Sequence, residues 1–195
     1  MAIYPTRTKR WTRAEYDRLI ELGVFRKEDR IELIGGELIV AEPPSPEHYT
    51  ATRRSTRALE AAFGPAWEVR PEGPIALDDE SEPEPDVAVV PGGPDDYRHA
   101  HPSRPVLTLE ISLSSLAIDR ERKASLYARA GLSDYWILNL IARVLEVYRD
   151  PIPDPAAPFG WRYARREIVA PSGRIAPLAA PAAPVAVADL LPLTS

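Results

Sequence analysis

The side chains able to do chemistry in this chain cluster between Glu82 and Leu138. Asp86 follows Pro85 at the head of one apolar run, VAVV, and Glu110 sits inside a second, VLTLEIS. Lys123 lies in the segment DRERKASLYARAGLSDYWIL that comes next. Two carboxylates supply hard oxygen ligands of the kind that suits Mg²⁺ or Mn²⁺ and not zinc. A lysine beside them can orient an attacking water or meet the charge that develops on a phosphoryl group. Carried by adjacent core elements, these three have the make-up that metal-dependent phosphodiester cleavage needs.

The elements must bring them together. Side chains alternate across a strand, so Leu107, Leu109 and Ile111 share one face and Thr108, Glu110 and Ser112 the other. A carboxylate among such apolar neighbours is costly unless a cation or hydrogen-bond donors satisfy it. If the strand led by Asp86 pairs with this one, both acids can converge on one divalent cation. In the helix that follows, positions 119, 123, 126, 127 and 130 form one stripe. Asp119 and Lys123 share it with Leu126, Tyr127 and Ala130, so the lysine points toward the sheet. Only Lys9, Lys27 and Lys123 are lysine among the 24 basic residues. In a chain that prefers arginine, a lysine here points to a need for a compact ammonium.

The remaining elements read as support. Thr12 with Glu15 is a capping box opening a helix from Arg13 to Leu22, closed by Gly23. Residues 1–10 read as a basic arm. Arg30 to Ala41 reads as a hairpin turning at Gly35-Gly36, and His48 to Phe63 as a helix. Strands are expected over Trp67–Leu77, Pro85–Val90, Val106–Ser112, Tyr135–Leu140, Val144–Tyr148 and Trp161–Val169. The helix before the fourth runs from Asp119 to Ala130. The loop from Pro91 to Pro105 has the composition of a lid or a dimer contact, PIPDPAAP that of a linker, and the Pro/Ala-rich tail 171–195 that of irregular packing. The order argues for an α/β architecture with a mixed central sheet flanked by helices.

At 195 residues the chain reads as one domain, 1–195. With no cysteines it has no disulfides or thiolate metal sites, and the cytoplasm is the expected compartment. No apolar run is long enough to span a membrane, and the first residues lack the apolar core of a signal peptide. A net charge of −5 argues against a generic nucleic-acid coat. Any contact with phosphates must then be local, and Arg53, Arg54 and Arg57 are the candidate DNA-binding cluster.

PDVAVV, LTLEIS and DRERKASLYARAGLSDYWIL, with RIELIGGELIV and PPSPEH before them, resemble the Uma-type restriction endonuclease family, a branch of the PD-(D/E)XK nuclease superfamily. The resemblance spans roughly residues 12–150. It implies a restriction-endonuclease-like core over about 24–150 and Mg²⁺-dependent DNA cleavage. Asp86 matches the family's aspartate and Glu110 its second acid; both would bind the metal. The superfamily's usual lysine would fall at Ser112, and Lys123 looks like the relocated lysine of this family. ISLSSLAI departs from the Ser-Pro turn usual after the second acid. The family also places a histidine at the position of His48.

Plainer roles compete. Asp86 reads equally as a turn residue, Glu110 as a structural acid paired with arginine, and Asp119 as a helix cap or the i,i+4 partner of Lys123. His48, Asp119, Ser112 and Glu47 are accessory candidates, with Glu32 a weaker extra acid. His99 and His101 sit in a polar loop without a third ligand. The expected function is a metal-dependent endonuclease acting on DNA as a homodimer. The alternative is a degenerate nuclease fold kept as a dimeric DNA-binding or interaction module. A carboxylate-pair hydrolase on another substrate, which needs no metal, is a third class.

Overall fold

The computed structural model describes residues 8–26, 29–41 and 43–194. Most of the basic arm, residues 1–7, lies outside them. The described residues build a six-stranded sheet in the order β3-β4-β5-β6-β7-β8. Its strands are β3 (Trp67–Pro71), β4 (Val87–Pro91), β5 (Leu107–Ser112), β6 (Asp134–Asn139), β7 (Val144–Pro153) and β8 (Trp161–Val169). β5 and β6 run parallel and the other neighbours antiparallel. A parallel pair needs a crossover, and a helical segment, α3, supplies it. α3 comprises a single turn Leu116–Ile118, a π-helical stretch Asp119–Lys123 and an α-helix Ala124–Arg129.

Strand alternation sorts the core into two layers. Val87, Val89, Leu107, Leu109, Ile111 and Trp136 pack on one side with Ala51, Leu59 and Phe63 of helix α2 (Pro46–Phe63). Tyr127, Tyr135, Ile137, Tyr148 and Tyr163 pack on the other, where α3 lies. Helix α1 (Arg13–Glu21) opens with the expected capping box: Thr12 Oγ1 accepts from Glu15 N–H and Glu15 accepts from Thr12 N–H. The hairpin of β1 (Arg30–Ile34) and β2 (Glu37–Ala41) turns through Gly35 and Gly36 at φ +56° and +78°, a conformation that favours glycine. A Cβ on Gly35 would also collide with the Phe159 ring.

Three expectations are corrected. The strand from Trp67 stops at Pro71, because Pro71 and Pro74 lack donors and Glu72 turns the chain at φ +50°. β7 continues through PIP to Pro153; beyond Arg149 it pairs with β8 alone, and a one-sided strand tolerates proline. The tail is ordered: a short ladder of Arg174–Ile175 with Val185–Ala186 leads into a helical turn, Val187–Leu190. Val185, Val187, Leu190 and Leu191 join the α2 layer.

Candidate active site

The register of β4 on β5 places the acids. Val87 pairs with Leu109 and Ala88 with Thr108, so one step further Asp86 stands opposite Glu110. Leu109 and Ile111 face the α2 layer, which turns the Glu110 carboxylate to the α3 side, while Asp86, just before β4, reaches back to α2. Asp86 is fixed twice. Its Oδ2 accepts the Ile111 N–H at 2.6 Å, and its Oδ1 lies 3.2 Å from His48 Nε2. His48 is in the first turn of α2, where its own N–H donates to the Ser45 hydroxyl that caps the helix. Burial pulls the imidazole pKa down, but the Asp86 carboxylate outweighs it and holds it above the usual value.

α3 lies across from these acids. In its π-helical stretch the Ala124 N–H donates to the Asp119 carbonyl, five residues back. The widened turn leaves both Asp119 and Lys123 buried against the sheet. Lys123 Nζ sits 3.2 Å from Glu110 Oε1 and 3.2 Å from Glu32 Oε2. Tyr127 donates its hydroxyl to Glu110 Oε1 at 2.8 Å. Asp119 Oδ2 accepts from Ser112 at 2.5 Å and from Ser115 at 2.6 Å. Ser112, at the position where the superfamily lysine was expected, therefore anchors Asp119. Ala130 departs from the expected stripe: it is the C-cap and is exposed.

Glu32, rated only a weak candidate from sequence, is a full member of the cluster. It is buried on β1, takes Lys123 on both oxygens and accepts the Glu84 N–H at 3.1 Å. The signal that finds it is the one that marks Glu110: an acid between two large apolar residues of a strand, Ile31-Glu32-Leu33 beside Leu109-Glu110-Ile111.

A cavity of about 450 Å³ opens onto the group. Five carboxylates line it, those of Glu32, Glu84, Asp86, Glu110 and Asp119, and among the described residues its cationic lining is Arg30 and Lys123, with His48 beside them. This imbalance governs the protonation chemistry. Burial pushes the Glu110 carboxyl well above the usual carboxylate range; Lys123 opposes the rise, and Asp119, Asp86 and Glu32 add to it. Asp119 and Glu84 are pushed up for the same first reason. Burial acts to lower the Lys123 ammonium, but Glu110 and Glu32 overcome it, so the lysine is held charged.

Among the described residues no three His, Asp or Glu side chains are grouped to enclose a metal by themselves. The donor chemistry still fits Mg²⁺. That ion keeps several waters and is commonly held by one or two carboxylates with substrate phosphates. Asp86 and Glu110 are two such donors lining one cavity.

The other candidates lie elsewhere. Glu47 is exposed on α2 and does not line the cavity. Arg53 and Arg57 are exposed on the same helix, while Arg54 turns away to donate to the Ala188 carbonyl at 3.0 Å. Of the three arginines, Arg54 is thus the one engaged by the tail. His99 and His101 are exposed in the loop after β4, whose residues take no part in the cavity.

A family model described as "Uma2: Putative restriction endonuclease" matches residues 13–181. Among solved structures, one described as "a putative nuclease belonging to DUF820 from Anabaena variabilis ATCC 29413" superposes with a TM-score of 0.66. The two are 18% identical, and the match covers 87% of this chain and 94% of that one. The likeness to that structure is one of fold. Comparison with curated proteins found no match.

Proposed function

This chain belongs to the Uma2 family, and from that premise we propose that it is a Mg²⁺- or Mn²⁺-dependent endonuclease of the PD-(D/E)XK type, hydrolysing DNA phosphodiesters. The observation that carries the reading is the charged lysine shared between Glu110 and Glu32 inside a cavity lined by excess acid. A buried acid cluster this poorly matched by protein cations is stabilised by a bound divalent ion. Asp86 and Glu110 would hold it. When bound, the ion supplies Lewis acidity toward a phosphoryl oxygen and lowers the pKa of a water.

The side chains provide the rest. The Ile111 amide and His48 hold the Asp86 carboxylate in one orientation. Tyr127 does the same for Glu110. Lys123, charged and held between its two acids, is placed to orient the attacking water and to meet negative charge on the phosphoryl group. Water adds at phosphorus, one P–O ester bond breaks, and the leaving oxygen takes up a proton. Cutting both strands of a duplex takes two copies of the site, most simply a two-fold homodimer.

The test is plasmid nicking by purified protein with and without Mg²⁺ or Mn²⁺, alongside Asp86→Asn and Glu110→Gln. Cutting that needs metal and fails in both variants supports the proposal. A second reading, a degenerate nuclease fold that only binds DNA, has one observation in its favour: the Lys123 ammonium is already engaged by two carboxylates. DNA binding without cutting, under conditions where the metal binds, would put that reading first.

A further inference from the structure

We infer that Glu32 is a positioning residue: it holds the Lys123 ammonium so that Glu110 stays available to a cation, an inference that rests on the endonuclease reading and deepens it. The two acids share the lysine unequally. Lys123 Nζ lies 3.3 Å from Glu32 Oε1 and 3.2 Å from Glu32 Oε2, and its hydrogen bond goes to Oε1. Toward Glu110 it makes an ion-pair contact, 3.2 Å from Oε1. The Tyr127 hydroxyl donates to that same oxygen. Glu110 Oε2 therefore takes no donor among the described residues, and the side chain lines the cavity.

Glu32 is itself held in place. Its Oε2 accepts the Glu84 N–H at 3.1 Å. The next residue, Leu33, bridges backbone to backbone with Glu82, whose N–H donates to the Leu33 carbonyl at 2.7 Å. With the ammonium against both oxygens and an amide on one, the Glu32 carboxylate is already satisfied by protein donors. Glu110 is the acid with an oxygen to spare. An ammonium and a divalent ion compete for a single carboxylate. A buried lysine deprived of Glu32 must find another counter-charge, and Glu110 already stands 3.2 Å away. Loss of Glu32 would thus close the lysine onto the acid that the cation needs. Glu32 serves the cation through Lys123 and not as a ligand, as outer partners orient the groups that hold a metal.

The experiment titrates the full chain with Mg²⁺ and reads affinity from the rise in melting temperature. Glu32→Gln should weaken Mg²⁺ binding by about 10-fold or more, the scale of losing an outer partner of a metal ligand. Removing the lysine as well should undo that loss, so Glu32→Gln/Lys123→Met should bind Mg²⁺ within about 3-fold of wild type. A double variant as weak as Glu32→Gln makes Glu32 a ligand and overturns the inference. A Glu32→Gln chain that melts lower but binds Mg²⁺ as wild type does makes Glu32 a structural acid and overturns it too. Both results leave the endonuclease reading standing where wild type binds Mg²⁺ and nicks plasmid. A wild-type chain whose melting temperature Mg²⁺ does not raise overturns both. If Glu32→Gln alone does not fold, Lys123→Met is the reference: adding Glu32→Gln to it should cost no more than about 3-fold in affinity, and a loss of about 10-fold overturns the inference.

Discussion

Glu110 and Glu146 stand in one row of the sheet, each paired across to Ile137 of the strand between them. Both are buried glutamates, and α3 reaches both. Their surroundings are opposite. Glu146 receives Arg120, Arg166, Asn139 and Tyr148. Its burial would raise the pKa, yet these donors pull it down to about 2. Glu110 receives one tyrosine hydroxyl and half a share in Lys123, and burial pushes it up. The first acid is a finished structural group. The second is short of positive charge, and under the proposed function a bound cation would fill that shortage.

The largest test of this contrast is on activity. Lys123→Ala should lower metal-dependent cleavage by about 100-fold or more, the scale of losing one positioned charged group. Arg120→Ala, from the same helical segment, should leave cleavage within a few-fold while lowering the melting temperature. Reversed results would erase the distinction between the two acids.

The next effect is on metal-linked stability. With Mg²⁺ at about 100 times its dissociation constant, unfolding free energy should rise by about 2.7 kcal/mol. Glu146→Gln should keep that rise, and Glu110→Gln should abolish it, as read by denaturant melts with and without Mg²⁺. A rise retained in Glu110→Gln would place the ion elsewhere.

The smallest effect is on acid and alkaline melts without metal. A lowered folded-state pKa contributes stability that is present above the unfolded value and lost as pH falls. For Glu146 the loss runs from about 4.5 down through about 2, and Glu146→Gln should flatten that limb. Glu110 has the opposite sign. Its raised pKa means that ionisation costs stability as pH rises above the ordinary carboxylate value. Glu110→Gln should therefore melt higher than wild type near pH 8, and a lower melting point there would contradict the charge deficit.

Much of this was legible in the chain. The alternation of LTLEIS put Glu110 opposite the apolar face, and helical spacing turned Lys123 inward. Two features were not legible. No residue pattern announces the π-helical stretch, because one wide turn changes a single hydrogen bond and leaves the periodicity nearly intact. The weight of Glu32 depended on where the hairpin docks, which local sequence does not state. The arginines of α2 show the converse: a charge cluster in sequence is divided in space by helix geometry, with Arg54 drawn to the tail. The tail's order likewise depends on the apolar face that α2 offers, which composition alone cannot reveal.

The bridge between Glu32 and Lys123 joins positions 91 residues apart. Contacts of such span form only after the loop-closure entropy of the intervening chain has been overcome, and they slow folding. The hairpin carrying Glu32 is made of near neighbours and can form early, but its acid meets the lysine only once β4, β5 and α3 are in place. Completion of the acid cluster is thereby tied to the late, long-range steps of folding, and a chain stalled before them holds these charges apart and hydrated.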